Sequence, residues 1–208
     1  MKTMFKLIVV LALAVATFSQ HTTVSAGSNF HFRNRVADAL FSNFDGCVAT
    51  DTFVFASEDI FQSTPGPAGA SSGMFLSIFQ VDYCTDPPTL LKDAFGFASL
   101  GDPDLQVTRK LTSATLGATV NVYDFVSDSN FDVFVDLAWI GNGPLIRENG
   151  HFQFQSPHCS FKTHFNRTFR SAVASGSVSD GATNFAPDPS SSAGLFSAKS
   201  GELVVGCN

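Results

Sequence analysis

Residues 117–140 read GATVNVYDFVSDSNFDVFVDLAWI, and this stretch decides the fold class. Ala118, Val120 and Val122 alternate with Thr119, Asn121 and Tyr123, the period of two that marks a strand with one buried face. Four turn-forming residues follow: Ser127, Asp128, Ser129 and Asn130. Alternation then resumes, with Phe131, Val133, Val135, Leu137 and Trp139 on one face and Asp132, Phe134, Asp136, Ala138 and Ile140 on the other. A four-residue loop at 127–130 sets Val126 opposite Phe131, Val122 opposite Val135, Val120 opposite Leu137 and Ala118 opposite Trp139. One face of this ribbon is apolar apart from Asp124 near the turn. A one-residue slip would mix the faces, so the pattern resists it. A lone hairpin is marginal in water, so the ribbon needs a second layer.

The chain on either side repeats the rhythm. Residues near 35–43 read as a strand entering a turn at Asn43-Phe44-Asp45-Gly46, with an amphipathic helix as the alternative. Val48 to Ala56 is a strand, Ser57 to Ser72 a long loop around Pro65-Gly66-Pro67, and Gly73 to Tyr83 a strand apolar on both faces. Short strands are expected around Phe95 and Phe97, over 105–111, over 151–155 and over 171–179. In 159–170 the alternation places Cys159, Phe161, Thr163, Phe165 and Phe169 inward and Lys162, His164, Asn166, Thr168 and Arg170 outward. Residues 180–194 form a loop, and 195–199 and 202–207 close the chain. Many short strands and no convincing long helix predict an all-β fold: an antiparallel β-sandwich of two layers, jelly-roll or immunoglobulin-like in style.

The first residues stand apart. Lys2 and Lys6 bracket a basic start, Leu7 to Phe18 is an apolar run of signal-peptide length, and Val24-Ser25-Ala26 supplies small residues for cleavage. The expected organisation is a cleaved signal peptide, 1–26, and a single domain, 27–208, secreted to the extracellular space. No later stretch is long and apolar enough for a membrane helix, so no transmembrane segment is expected in the mature chain. Losing Lys2 and Lys6 moves the formal net charge from −6 to −8. An acidic chain lacks the cationic footprint of a nucleic-acid binder. The 23 phenylalanines, against two tyrosines and one tryptophan, point to a Phe-rich core.

Four cysteines remain after the signal, an even number that reads as a disulfide framework in an exported chain. If strand 48–56 pairs with 74–83, Cys47 opens one strand where Cys84 ends the other. Cys159 likewise opens a strand, and Cys207 ends the last one. The expected bridges are Cys47–Cys84 and Cys159–Cys207. With no C-x-x-C spacing, a metal or redox site is not expected.

No complete catalytic constellation emerges. Gly69-Ala70-Ser71-Ser72-Gly73 has the letters of a serine-hydrolase elbow without a strand before or a helix after it. His151, His158 and His164, with Glu148 nearby, lack tight zinc spacing. Asp128, Asn130 and Asp132, with Asp124 nearby, resemble the start of a calcium loop, yet Val133 and Trp139 stand where glycine and glutamate belong. Calcium is the one cofactor these residues suggest. Asp132 and Asp136 share a strand face about 13 Å apart, beyond the roughly 5–9.5 Å of glycosidase pairs. Together with Phe134 and Tyr123 they form an aromatic-and-acid patch, the expected ligand site. Asn166-Arg167-Thr168 is a glycosylation sequon. The expectation is a non-catalytic extracellular binding or surface-structural protein, its partner a glycan or a protein. The rivals are a carboxylate-based secreted glycan hydrolase and an extracellular assembly subunit.

Overall fold

The computed structural model describes residues 28–64, 66–156, 159–187 and 189–207. The expected signal peptide and His158 lie outside them. Ten strands follow in chain order: β1 (Ser28–Asp45), β2 (Val48–Thr64), β3 (Ala68–Asp82), β4 (Thr89–Ser99), β5 (Leu105–Val107), β6 (Ser113–Asp124), β7 (Ser129–Gly141), β8 (Ile146–Gln155), β9 (Cys159–Ser179) and β10 (Ser192–Cys207). Among the described residues there is no helix, and every named pairing is antiparallel. The ambiguity over 35–43 resolves as strand, with a two-residue turn at Gly46-Cys47 where Gly46 takes a positive φ of 62°.

The strands do not divide into the two layers expected of a sandwich. They form one sheet in the order β10-β1-β2-β3-β4-β6-β7-β9, and β10 pairs with β9 as well as with β1. The path therefore closes into an eight-stranded up-and-down barrel, with β5 added beside β6 and β8 beside β9. Ala193 shows the closure at one residue, registered with Ala39 of β1 on one side and Ala172 of β9 on the other. The join between β4 and β6 is the shortest, limited to Ala94–Asp124 and Phe95–Tyr123.

Closure sets what can point inward. An eight-stranded barrel has just enough interior for side chains to fill it. The inward positions hold Val54, Leu76, Ile78, Val120, Val133 and Leu137, all fully buried. Trp139 is 0% exposed, and its Nε1–H donates to the Asp38 carbonyl at 2.8 Å, so the ring spans the interior from β7 to β1. The Phe-rich core is not found. Among the described residues only Phe41 and Phe185 are phenylalanines buried in the core, with Phe131 packed against it. The other strand phenylalanines with described side chains occupy the opposite parity, where the wall faces out.

Both ends are plugged. The segment between β4 and β6 sends Leu105, Val107 and Leu111 into one end. Leu111 holds a positive φ of 53°, costly for a branched residue, and its N–H donates to the Thr108 carbonyl at 2.9 Å. At the other end Phe185 and Ala186 fold in, and the Thr52 hydroxyl donates to the Phe185 carbonyl at 2.8 Å.

Three local expectations change. The loop expected over 57–72 is instead the far half of a long hairpin, since β2 and β3 stay in register out to Gln62–Ala68. The strand 73–83 is not covered on both faces, because Phe79 is exposed and Phe75 only half-buried. In β9 the alternation is as expected but its sense is reversed. Ala172, Ala174 and Val178 are buried, so even positions face the barrel side and Lys162, His164, Asn166, Thr168 and Arg170 share that face. Composition favours the aromatic parity as the inward one, and it is the closure of β9 onto β10 and β7 that turns the small-residue parity of 172–178 inward.

Asp38 carries a pH signature. It lies between Phe55 and Gly194 in register, and its carboxylate occupies the space beside Gly194 together with the Phe169 ring. Burial pushes its carboxyl up to about 6. A raised carboxylate stabilises the fold fully only below its ordinary range near 3.8, and that contribution is lost as pH rises through about 6. Asp38→Asn should therefore unfold later than wild type at pH 8, by up to about 3 kcal/mol in denaturant titrations, and match it near pH 4. Trp139→Ala should cost about 3–5 kcal/mol in the same titration, because it empties the centre of the barrel.

Candidate functional site

The central hairpin has the expected faces but a different register. Its four-residue loop is 125–128, two residues earlier than expected, so Asp124 faces Ser129, Val122 faces Phe131, Val120 faces Val133 and Ala114 faces Trp139. Partners move by four residues, which preserves parity, and the apolar face stays apolar. Asp124 makes this turn the preferred one. Its carboxylate accepts from the Val126 N–H at 3.0 Å, the Ser127 hydroxyl at 2.8 Å and the Asp93 N–H at 3.2 Å. The Lys92 ammonium stands 3.7 Å away and also lies over the Phe131 ring. Burial raises the Asp124 carboxyl, but the Val126, Asp93, Ser127 and Lys92 interactions outweigh it and hold it below the usual range.

The proposed calcium set is thereby taken apart. Asp124 points into the barrel, 2% exposed, with its oxygens occupied, whereas Asp132 projects from the other side and accepts from the Asn121 amide at 2.7 Å. Carboxylates on opposite sides of one sheet cannot share an ion. Asp128 is engaged by the Tyr123 hydroxyl, and Asn130 is the registered neighbour of Tyr123.

The ligand patch is only partly assembled. Phe134 lines a groove of about 470 Å³ with Ser99, Asp104 and Thr119, and Asp136 is registered opposite Gly117 on its floor. The groove exists because β4 leaves β6 after two residue pairs and Gly117 has no side chain to fill the gap. Tyr123 belongs elsewhere, beside Phe125, with ring centroids 4.8 Å apart.

That second location is the largest feature the sequence reading did not assemble. Phe55, Phe75 and Phe97 are register partners across β2, β3 and β4, and in the next row Phe53, Ser77, Phe95 and Tyr123 follow one another. Phe75 and Phe97 are 4.9 Å apart, Phe95 and Phe125 5.3 Å, and Phe53 and Phe75 6.3 Å. These rings form a continuous aromatic plate on the outer wall. Phe97 is 59% exposed, Phe125 55% and Phe95 40%. Contiguous apolar surface of this kind marks an interaction site more often than scattered exposed rings do. The Phe-x-Phe spacing at 53/55 and 95/97 was the available signal.

Cys47 and Cys84 are joined, with Cα atoms 5.2 Å apart, at the β1–β2 turn and the end of β3 as expected. In the chain-entropy model a loop of this span contributes about 4 kcal/mol. The bridge also disposes of Cys47, Cys84 and Asp82 as metal ligands, since both thiols are spent and Asp82 accepts from the Cys84 N–H at 2.8 Å. Cys159 and Cys207 are registered backbone partners, and their side chains lie outside the described residues. The Gly69-Ala70-Ser71-Ser72-Gly73 run lies within β3, so no elbow forms. His151 and His164 are cross-strand neighbours with ring centroids 6.0 Å apart, while Glu148 has the opposite parity. Asn166 is exposed on the barrel-side face of β9.

Comparison of the chain with protein-family models, with characterised proteins and with solved structures finds no match. Among the described residues no helix is long and apolar enough to cross a membrane.

Asp124→Ala should destabilise the fold by about 2–4 kcal/mol at pH 7, because it removes the acceptor that the Asp93 and Val126 N–H groups, the Ser127 hydroxyl and Lys92 share. A lowered carboxylate contributes above its ordinary range and loses that contribution as pH falls through the folded value. The gap between wild type and variant in urea titrations should therefore narrow below about pH 4.

Proposed function

We propose that the chain is an exported, non-catalytic protein of the surface-structural kind, whose partner lies against the aromatic plate of β2, β3, β4 and β6. The observation that carries this reading is the plate itself: six or more rings in mutual contact on the outer wall of a barrel whose interior is already filled. A filled, plugged interior leaves the outer wall as the place to bind. Phenylalanine has no polar handle, so the plate favours an apolar protein surface over a sugar ring. The simplest such surface is a second copy, since a flat patch on an all-β wall is readily self-complementary.

Export fits the disulfide at Cys47–Cys84 and the apolar run 7–18. A second bridge, Cys159–Cys207, belongs to the same reading and is supported by their directly opposed backbones.

Sedimentation velocity across a concentration series tests the proposal. Wild type should associate, and Phe95→Ser/Phe97→Ser should stay monomeric with its melting temperature within about 2 °C of wild type, because exposed rings contribute little to folding. Association unchanged in the double variant would overturn the role of the plate. Release of reducing ends from a glycan panel by wild type would overturn the non-catalytic reading.

A further inference from the structure

Beyond the end plugged by Leu105, Val107 and Leu111, β9, β10, β1 and β2 run on with β8 added at the side. In this extension the described barrel-side positions of β8, β9, β10 and β1 are polar and cationic up to Ile60 of β2, which faces Arg33. We infer that this face binds an acidic polysaccharide, through carboxylate or sulfate groups held by Arg33 and Lys199 and neutral hydroxyls held by Asn166 and Asn149. The register puts these four side chains in one row: Arg33 of β1 faces Lys199 of β10, Lys199 faces Asn166 of β9, and Asn166 faces Asn149 of β8. Four strands at about 4.8 Å make the row roughly 14 Å long. All four side chains are exposed.

The neighbouring row adds charge. Arg35 faces Ser197, Ser197 faces Thr168, and Thr168 faces Arg147, so a guanidinium stands at each end. Among the described side chains, carboxylates approach this row from the β2 edge. Glu58 is ion-paired with Arg35 at 3.3 Å; burial raises its carboxyl against the opposing pull of Arg35, and Asp102 of the plugging segment adds to the rise. Among the described residues Arg33, Lys199 and Arg147 have no ion-pair partner. Of the ten Lys and Arg residues after position 26, six have this parity: Arg33, Arg35, Arg147, Lys162, Arg170 and Lys199. A depression of about 480 Å³ lies along the row, lined by Asn149, Gly150, His164, Phe165, Asn166 and Lys199.

The ligand class follows from the row's chemistry. Two cations followed by two carboxamides match a polymer that alternates anionic groups with neutral hydroxyls, because carboxamides both donate and accept. Arginine and lysine supply forked and point-like donors to the anionic oxygens. A nucleic acid would want rings to stack its bases, and histidines are the only rings of this parity among the described positions of the extension, Phe165 having the opposite parity in β9. This site is separate from the aromatic plate, so either can fail alone.

Affinity electrophoresis tests the inference. Gels carrying polygalacturonate or dextran sulfate should retard the wild-type protein, and a neutral dextran gel should not. Raising salt from 50 to 300 mM should weaken the effect about tenfold or more, as expected for screened charge contacts. Arg33→Gln/Lys199→Gln should weaken it about tenfold, while Arg167→Gln, on the opposite face of β9, and Phe95→Ser/Phe97→Ser should stay within about twofold. The inference falls if neither polyanion retards the protein more than neutral dextran does, or if the Arg33/Lys199 variant matches wild type. It also falls if single-stranded DNA of matched charge binds more tightly than both polysaccharides.

Discussion

The closure of eight strands on one another is the constraint from which the rest follows. Once β10 has partners on both edges, the sheet has a fixed inside, and that inside is narrow. Alanine, valine and leucine fill it in layers, and a single tryptophan crosses the centre with its N–H satisfied by the Asp38 carbonyl. There is no room for a phenylalanine-rich seam. The aromatic side chains are displaced to the other parity, and the outer wall acquires the character that a sandwich core would have had.

Two carboxylates show how the barrel treats charge. Asp124 is buried and stays ionised because two N–H groups, a hydroxyl and Lys92 converge on it. It thereby selects the 125–128 turn and helps set the register of β6 and β7. Asp38 is half-buried on the outward parity of β1, with desolvation alone acting on its carboxyl. One carboxylate specifies structure, and the other makes stability depend on pH. The plugs at the two ends work differently, with Leu111 accepting an unfavourable backbone conformation so that its side chain can enter the barrel.

Parity was legible in the sequence; direction was not. Alternation located β6 and β7 and kept their faces correct even though the turn was placed two residues late, because a four-residue partner shift leaves a period of two untouched. The Cys47–Cys84 bridge was legible for the same reason, strand ends being marked by turn residues. Closure was invisible, since it depends on β9 meeting β10 along one edge and β8 and β7 along the other. Without closure, the Phe-bearing parity of β9 looked like the inside. The candidate sites suffered accordingly. Phe134 and Asp136 lie near one groove, but Tyr123 joins a plate built from β2, β3 and β4, and the cationic row needs four strands from distant parts of the chain.

Amide and α-proton NOEs at Ala193 test the closed barrel most directly. The closed barrel predicts cross-strand NOEs from the Ala193 strand position both to Ala39 of β1 and to Ala172 of β9, with slow amide exchange along both edges of β10. NOEs to one neighbour only, with fast exchange along the other edge, would mean an open sheet and would contradict it.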